Sequence, residues 1–316
     1  MQDVLSAGSV AGYVAVLGPP NAGKSTLINA LLGEKVSIVS PKPQTTRQAI
    51  RGILNRPGVQ MVLVDTPGFC APSTPLHRAM RKAVGRAAAA ADVSLVVLDI
   101  GRHRDGFLRE AEQQIIEAAK ARTPKLVLAL NKVDLLENPN HVLPWIDHCA
   151  KAYAPCAILP MAARRGEGLT GLVGALQELL PPGPPLFSTD MYTDRSEKFL
   201  CAELIREQLL YQTHQEVPHT CAVTIEEFRD GREQTDRPAR CALVARIYVA
   251  RDSQKGIVVG QGGQQIKNLG CVARQRIGQL LGCPTDLRLS VHVDPQWPQS
   301  EPALRRYGLL SEAHPC

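Results

Sequence analysis

The chain has 316 residues, with 36 basic against 30 acidic side chains and only 4% aromatics. That length allows two domains, with cores built mainly from Ala, Val, Leu and Ile. Nine cysteines with no CxxC pair and no matching histidine spacing exclude a zinc site and a disulfide scaffold, and read as small buried thiols in a reducing compartment. No basic stretch followed by a long apolar run opens the chain, and no run reaches ~18 apolar residues, so neither secretion nor membrane spanning is expected.

In chain order, "YVAVLG" (13–18) reads as a buried strand running into the glycine loop "GPPNAGKS" (18–25). That loop matches G-x-x-x-x-G-K-[ST] in full. Gly18 and Gly23 let the backbone curl so that the segment Pro19–Pro20–Asn21–Ala22 wraps phosphate, with the N–H groups of Asn21, Ala22 and the residues that follow turned toward its oxygens. Lys24 reaches toward β- and γ-phosphates, Ser25 offers a hydroxyl to Mg²⁺, and Thr26 opens a helix whose N-terminus favours anions. The run "VQMVLVD" (59–65) delivers "DTPG": Asp65 to hold the metal through water, then Thr66, Pro67 and Gly68, whose amide can sense a γ-phosphate. "VSLVVLD" (93–99) and "PKLVLALN" (124–131) are two more apolar runs of the kind found inside a parallel sheet. The last of them leads into "NKVD": Asn131, Lys132, Val133 and Asp134. The Asp134 carboxylate can accept from both guanine N1–H and N2–H₂, a donor pair that adenine lacks, while the Lys132 stem can lie along the base. Helical spacing at 76–91, 107–121 and 169–180 alternates with these strands, which predicts an α/β domain with a mostly parallel sheet.

"PPGPP" (181–185) marks a boundary, because a helix cannot continue through it. The expected organisation is a first domain at 1–180, a linker at 181–195 and a second domain at 196–316. In the second, "SEKFLCAELIREQLLYQT" (196–213) reads as an amphipathic helix and "CAVTIEEFRD" and "CALVARIYVARD" as strands. Next comes a second glycine loop, "VVGQGGQQIK" (258–267), expected to follow strand-like residues and to feed a helix from about Gln264 to Leu281. A last strand, "LRLSVHV" (287–293), completes a small α+β domain. Between Arg246 and Arg276 six basic residues face only Asp252, which points to a polyanion. Gly260 and Gly263 form a G-x-x-G, flanked by Gln261 and Gly262, with Lys255, Lys267 and Arg274 as surrounding charge. Such a loop clamps about four nucleotides of single-stranded RNA.

The three front motifs, with "PKPQTTR" (41–47) and the rear stretches "EVPHTCAVTIEEF" and "WPQSEPALRRYGLL", resemble the Era family of bacterial GTPases, in which a G domain precedes a KH domain. The resemblance covers nearly the whole chain. It implies a P-loop GTPase domain followed by a type II KH domain, GTP/GDP and Mg²⁺ as ligands, and K⁺ held by Asn21 against the phosphates. It makes 36–48 the first switch, with Thr46 on the metal and Thr45 as the alternative, and starts the second switch at Asp65. Lys24, Thr46, Asn21 and Gly68 then form the catalytic set. Phe69 occupies the place where many small GTPases have a water-orienting Gln, so slow hydrolysis is expected. Arg47 reads as a surface arginine, with an internal arginine finger as the alternative. The family's Ser-Ala motif is replaced by Met161–Ala162, leaving the Ala162 amide to meet guanine O6.

As partners the resemblance implies the 3′ end of 16S rRNA and the 30S subunit in its assembly, not DNA, for a cytoplasmic monomer with peripheral membrane association. Two alternatives stay open: a GTP-dependent RNA-binding module with negligible hydrolysis, and a GTPase of tRNA modification or of a membrane partner.

Overall fold

The computed structural model describes residues 9–68, 74–101, 107–213, 217–232 and 238–309. The front half is a six-stranded sheet in the order β2-β3-β1-β4-β5-β6. Its strands are β1 (Val10–Leu17), β2 (Ile50–Arg56), β3 (Val59–Asp65), β4 (Val93–Asp99), β5 (Leu126–Asn131) and β6 (Ala157–Met161). All neighbours pair in parallel except β2, which runs antiparallel to β3. Every residue of β3, β4 and β5 is buried, as continuous apolar runs require when helices cover both faces. On one face lie α1 (Lys24–Leu32) and α5 (Leu169–Leu179), on the other α2 (Pro75–Ala90), α3 (Glu110–Lys120) and α4 (Leu143–Tyr153). The phosphate loop, "DTPG" and "NKVD" therefore all leave carboxyl ends of parallel strands, where α/β sheets bind ligands.

The segment 181–195 is laid along the sheet. Ala11 N–H donates to the Pro181 carbonyl at 3.2 Å, Ile53 N–H to Tyr192 O at 2.9 Å, and the amides of Leu186 and Phe187 both donate to Gln60 Oε1. Arg51 adds an ion pair to Asp194 at 2.8 Å. These contacts cover β2, which would otherwise present open backbone groups.

The rear half carries α6 (Glu197–Gln212), antiparallel strands β7 (Cys221–Arg229) and β8 (Cys241–Val249), helices α7 (Asp252–Val259) and α8 (Gln264–Leu281), strand β9 (Thr285–Val293) parallel to β8, and α9 (Glu301–Arg306). One correction concerns Ile257–Val259. These residues form the last turn of α7, not a strand, so the second glycine loop joins two helices. Among the described cysteines, Cys149, Cys201, Cys221, Cys241 and Cys283 are buried as expected, whereas Cys156 and Cys271 are exposed.

The two halves pack through α6, whose residues Leu204–Leu210 are all buried, charged ones included. Glu207, with a side chain 1% exposed, takes Lys35 at 2.6 Å and Arg276 at 3.0 Å, and accepts the Val39 amide at 2.9 Å. Arg206 donates to the Thr45 carbonyl at 2.6 Å, and Lys42 Nζ donates to the Thr213 carbonyl. A second contact is apolar: Leu76 and Met80 of α2 pack with Trp297, Leu304 and Tyr307. Burying a carboxylate is affordable only when its oxygens are filled by donors. Replacing Glu207 with Gln weakens these charged hydrogen bonds, and urea unfolding should show a loss of about 2 kcal/mol.

Candidate nucleotide site and second glycine loop

The phosphate loop adopts the shape its glycines permit. Gly23 has φ +101°, and a Cβ there would lie 2.3 Å from Asn131 Nδ2. Lys24, almost wholly buried, folds back so that Nζ donates to the carbonyls of Gly18 and Pro19 at 3.0 and 2.9 Å. Burial pulls its pKa down to about 8, against a smaller opposing pull from Asp65. The charged lysine thus waits for an anion that the loop can bring.

Three oxygens meet beside it. Ser25 Oγ donates to Asp65 Oδ2 at 2.7 Å, and Thr46 Oγ1 lies 3.0 Å from Ser25 Oγ and 3.3 Å from Asp65 Oδ2. Asp65 is fully buried, its pKa is raised by that burial, and its Oδ1 has no hydrogen-bond partner. A buried carboxylate with an orphaned oxygen beside two hydroxyls is a donor set suited to a hard cation such as Mg²⁺. Thr45 is not part of it, because its hydroxyl accepts or donates within its own loop, to Ser40 Oγ at 2.7 Å and Lys42 O at 2.8 Å.

A cavity of about 670 Å³ runs from this cluster to Asp134, lined by Pro20, Asn21, Gly23–Thr26, the first-switch residues Ile38–Pro41 and Gln44–Thr46, Gly68, Asn131, Lys132, Leu135, Ala163 and Arg164. Gly18, Pro19, Ala22, Asp65, Thr66, Pro67 and Val133 stand behind this wall and shape it. Thr66 Oγ1, for example, donates to Val16 O at 2.7 Å. Asn131 is a brace: Nδ2 donates to Ala22 O at 2.8 Å and Oδ1 accepts from the Ala163 amide at 3.0 Å. Lys132, at φ +68°, donates to Asn21 O at 2.7 Å and Asp99 at 2.5 Å. Asp134 lines the cavity and pairs with the exposed Arg165 at 3.3 Å. Asn21, at φ +63°, ties the phosphate loop to the first switch by donating to Pro41 O at 3.0 Å.

In the second loop, Gly260, Gly262 and Gly263 all have positive φ. A Cβ on Gly260 would stand 2.6 Å from Gln265 Cβ, so this position needs glycine on steric grounds as well. Gly262 and Gly263 have open space around them, which leaves the loop surface free for a backbone to approach. Lys255, Gln261 and Lys267 are exposed around it. Arg274 is exposed too, but lies eleven helical residues beyond Gly263, about 16 Å along α8, in a separate groove with Arg240 and Cys271.

This arrangement has close counterparts. The family described as 50S ribosome-binding GTPase matches residues 13–132, and the KH domain family matches 216–298. GTPase Era of Syntrophus aciditrophicus is 37% identical over 94% of both chains, and that of Lactobacillus helveticus 40% identical over 94% of this chain and 95% of its own. The chain belongs to the Era family of GTPases. Among solved structures, Era in complex with MgGDPNP and nucleotides 1506–1542 of 16S ribosomal RNA superposes with a TM-score of 0.89 at 36% identity, over 95% of this chain and 99% of that one. Aquifex aeolicus Era bound to GDP·AlF4⁻ gives 0.88 over the same shares.

Two sequence expectations change in the structure. Arg47 is neither a finger nor a surface residue: it is 5% exposed, its guanidinium donates to the carbonyls of Pro218 at 2.9 Å and Cys221 at 2.5 Å, and it lies over the Trp297 ring. Burial, with Arg206 nearby, lowers its pKa to about 10. Met161–Ala162 stands one residue too early: Met161 ends β6 inside the core, and the Ala162 amide is spent on Glu167 O at 3.1 Å, so Ala163 and Arg164 form the cavity wall. Phe69 lies outside the described residues. Missed entirely were Gln44, whose Oε1 meets His77 Nε2 at 3.1 Å, and Tyr211 of α6, which lines the cavity from the other half.

The lowered pKa of Lys24 has a consequence for ligand binding. Its free-state value near 8 rises once phosphate pairs with it, so the Lys24 contribution to affinity is fully present well below pH 8 and is lost as pH rises through it, where the amine must be protonated on binding. Calorimetry should find GDP bound about tenfold more weakly at pH 9 than at pH 7.

Proposed function

We propose that this Era-family chain is a GTP hydrolase that binds the 3′-end region of 16S rRNA and acts in 30S subunit assembly, its nucleotide state gating RNA binding. The observation that carries this reading is the docking of the first switch onto the rear half beside the Ser25–Thr46–Asp65 cluster. A ligand that holds Thr46 in place also holds Val39–Thr45 against α6, so the two sites share one element.

In this reading Lys24 leaves the loop carbonyls for the β- and γ-phosphates, and the loop amides with the N-terminus of α1 take the remaining phosphate oxygens. Asp134 accepts from guanine N1–H and N2–H₂, with Arg165 displaced and the Ala163–Arg164 backbone toward O6. Ser25, Thr46 and Asp65 hold Mg²⁺, which supplies charge neutralisation between the phosphates. Gly68 offers its amide at the γ-phosphate end. Positioning of this kind supports slow phosphoryl transfer to water. Asn21 is assigned to K⁺, so replacing K⁺ by Na⁺ should lower the hydrolysis rate, by about tenfold or more if that ion neutralises transition-state charge.

The domain limits proposed are 1–180 and 196–316, with 181–195 as a packed connection. The protein is proposed to work as a cytoplasmic monomer. The membrane contact in this reading is peripheral; no helix among the described residues is long and apolar enough to cross a membrane.

The deciding experiment measures binding of an RNA copying nucleotides 1506–1542 of 16S rRNA, the stretch named in the solved Era complex; the second loop would clamp about four of them. Binding should be tightest with a non-hydrolysable GTP analogue, and Gly263→Asp should abolish it by placing a carboxylate against phosphate. Equal, weak binding with GDP, analogue and no nucleotide would reject the gate. A normal gate without measurable turnover would favour the binding module.

A further inference from the structure

We infer that the nucleotide site is completed by the rear half of the molecule, through Tyr211, which covers the first-switch side of the bound nucleotide and slows its release. This rests on the reading of the cavity as a guanine-nucleotide site.

Helix α6 is buried from Leu204 through Leu210, and its surface re-emerges at Tyr211, which is 48% exposed. Tyr211 borders the nucleotide cavity, whose lining also includes Val39, Ser40 and Pro41. The hydroxyl has no partner among the described residues. An amphipathic aromatic at the wall of a polar cavity, with its polar tip unpaired, is placed for a ligand rather than for the core.

Its position is fixed from both sides. One turn earlier on the same helix face, Glu207 holds the Val39 amide at 2.9 Å and Lys35 at 2.6 Å. Next to Glu207, Arg206 holds the Thr45 carbonyl, and two residues beyond Tyr211 the Thr213 carbonyl takes Lys42. The switch segment is thus pinned to α6 before and after Tyr211, which fixes the position of its backbone beside Val39–Pro41.

The remaining walls are already assigned. The loop at 18–26 takes the phosphates, and 131–134 with 163–164 takes the base. What lies between those ends is the ribose, and Val39–Pro41 with Tyr211 is the wall that neither end uses. A phenol offers a flat apolar face to the sugar and a hydroxyl that can donate to or accept from its hydroxyls. Retention by such a cover appears in the dissociation rate more than in association.

The test uses the full-length protein loaded with tritiated GDP and chased with unlabelled GDP. Tyr211→Ala should release GDP about three- to tenfold faster than wild type, the change falling on dissociation. Tyr211→Trp, read against the wild-type protein with its own two tryptophans, should change emission when GDP is added. Equal release rates for wild type and Tyr211→Ala overturn the proposal. Faster release with a silent Tyr211→Trp reporter also overturns it, because the effect would then pass through the switch rather than by contact. Wild-type protein that retains no GDP would instead reject the nucleotide-site reading on which the proposal rests.

Discussion

The molecule is organised around one buried carboxylate. Glu207 gathers a lysine before the first switch, an amide inside it and an arginine from the helix that carries the second glycine loop. A charge so thoroughly removed from water tolerates little rearrangement, since both oxygens depend on Lys35, each with one further donor, Val39 N–H or Arg276. The two glycine loops are therefore joined by a short polar path: phosphate loop, Thr46, switch backbone, Glu207, α8. The apolar seat of α2 on Trp297, Leu304 and Tyr307 runs alongside it and connects the element after "DTPG" to the same rear half.

The two loops solve opposite problems with the same residue. In the first, Gly23 is confined, because a side chain would strike the Asn131 brace; the loop is a closed cup whose amides converge. In the second, Gly262 and Gly263 are open, and only Gly260 is sterically confined, against Gln265. A convergent cup suits a compact polyphosphate, whereas an open turn between two helices suits a chain that passes by. The chemistry behind each loop agrees: a buried lysine and three oxygens behind the cup, exposed Lys255 and Lys267 beside the turn.

Much of this was legible in the sequence, for a physical reason. Strands buried on both faces are continuous apolar runs, so β1, β3, β4 and β5 and the motifs at their ends stand out without any long-range information. Strand β2, with Arg51, Asn55 and Arg56, has no such signature because it is the outermost strand, half-covered by 181–195. Ile257–Val259 looks like strand by β-branching, yet it ends α7, with Val258 in the core, Val259 packed against it and Ile257 exposed. The one-residue error at Met161 arose because β6 ends with an inward side chain that the motif alone does not locate. Arg47 was illegible for a different reason. Its guanidinium is held by carbonyls more than 170 positions away, and no local pattern announces a charge that will be enclosed by Pro218 and Cys221.

The path of residues 181–195 sets how the halves can move relative to each other. Because that segment is bonded to Ala11, Gln60, Ile53 and Arg51 along its length, its residues do not act as a tether. The free length between the last anchor, at Asp194, and the start of α6 at Glu197 is close to nil. A swing of the rear half must then be a rotation about a fixed pivot, with every point travelling on an arc set by its distance from residue 195. Near the pivot, at the base of α6, displacement is small; at the far tip of the domain it is large. The geometry is that of a door hung on the edge of the sheet, and the same few degrees that barely disturb one end of α6 would carry the clamp loop through a much longer path.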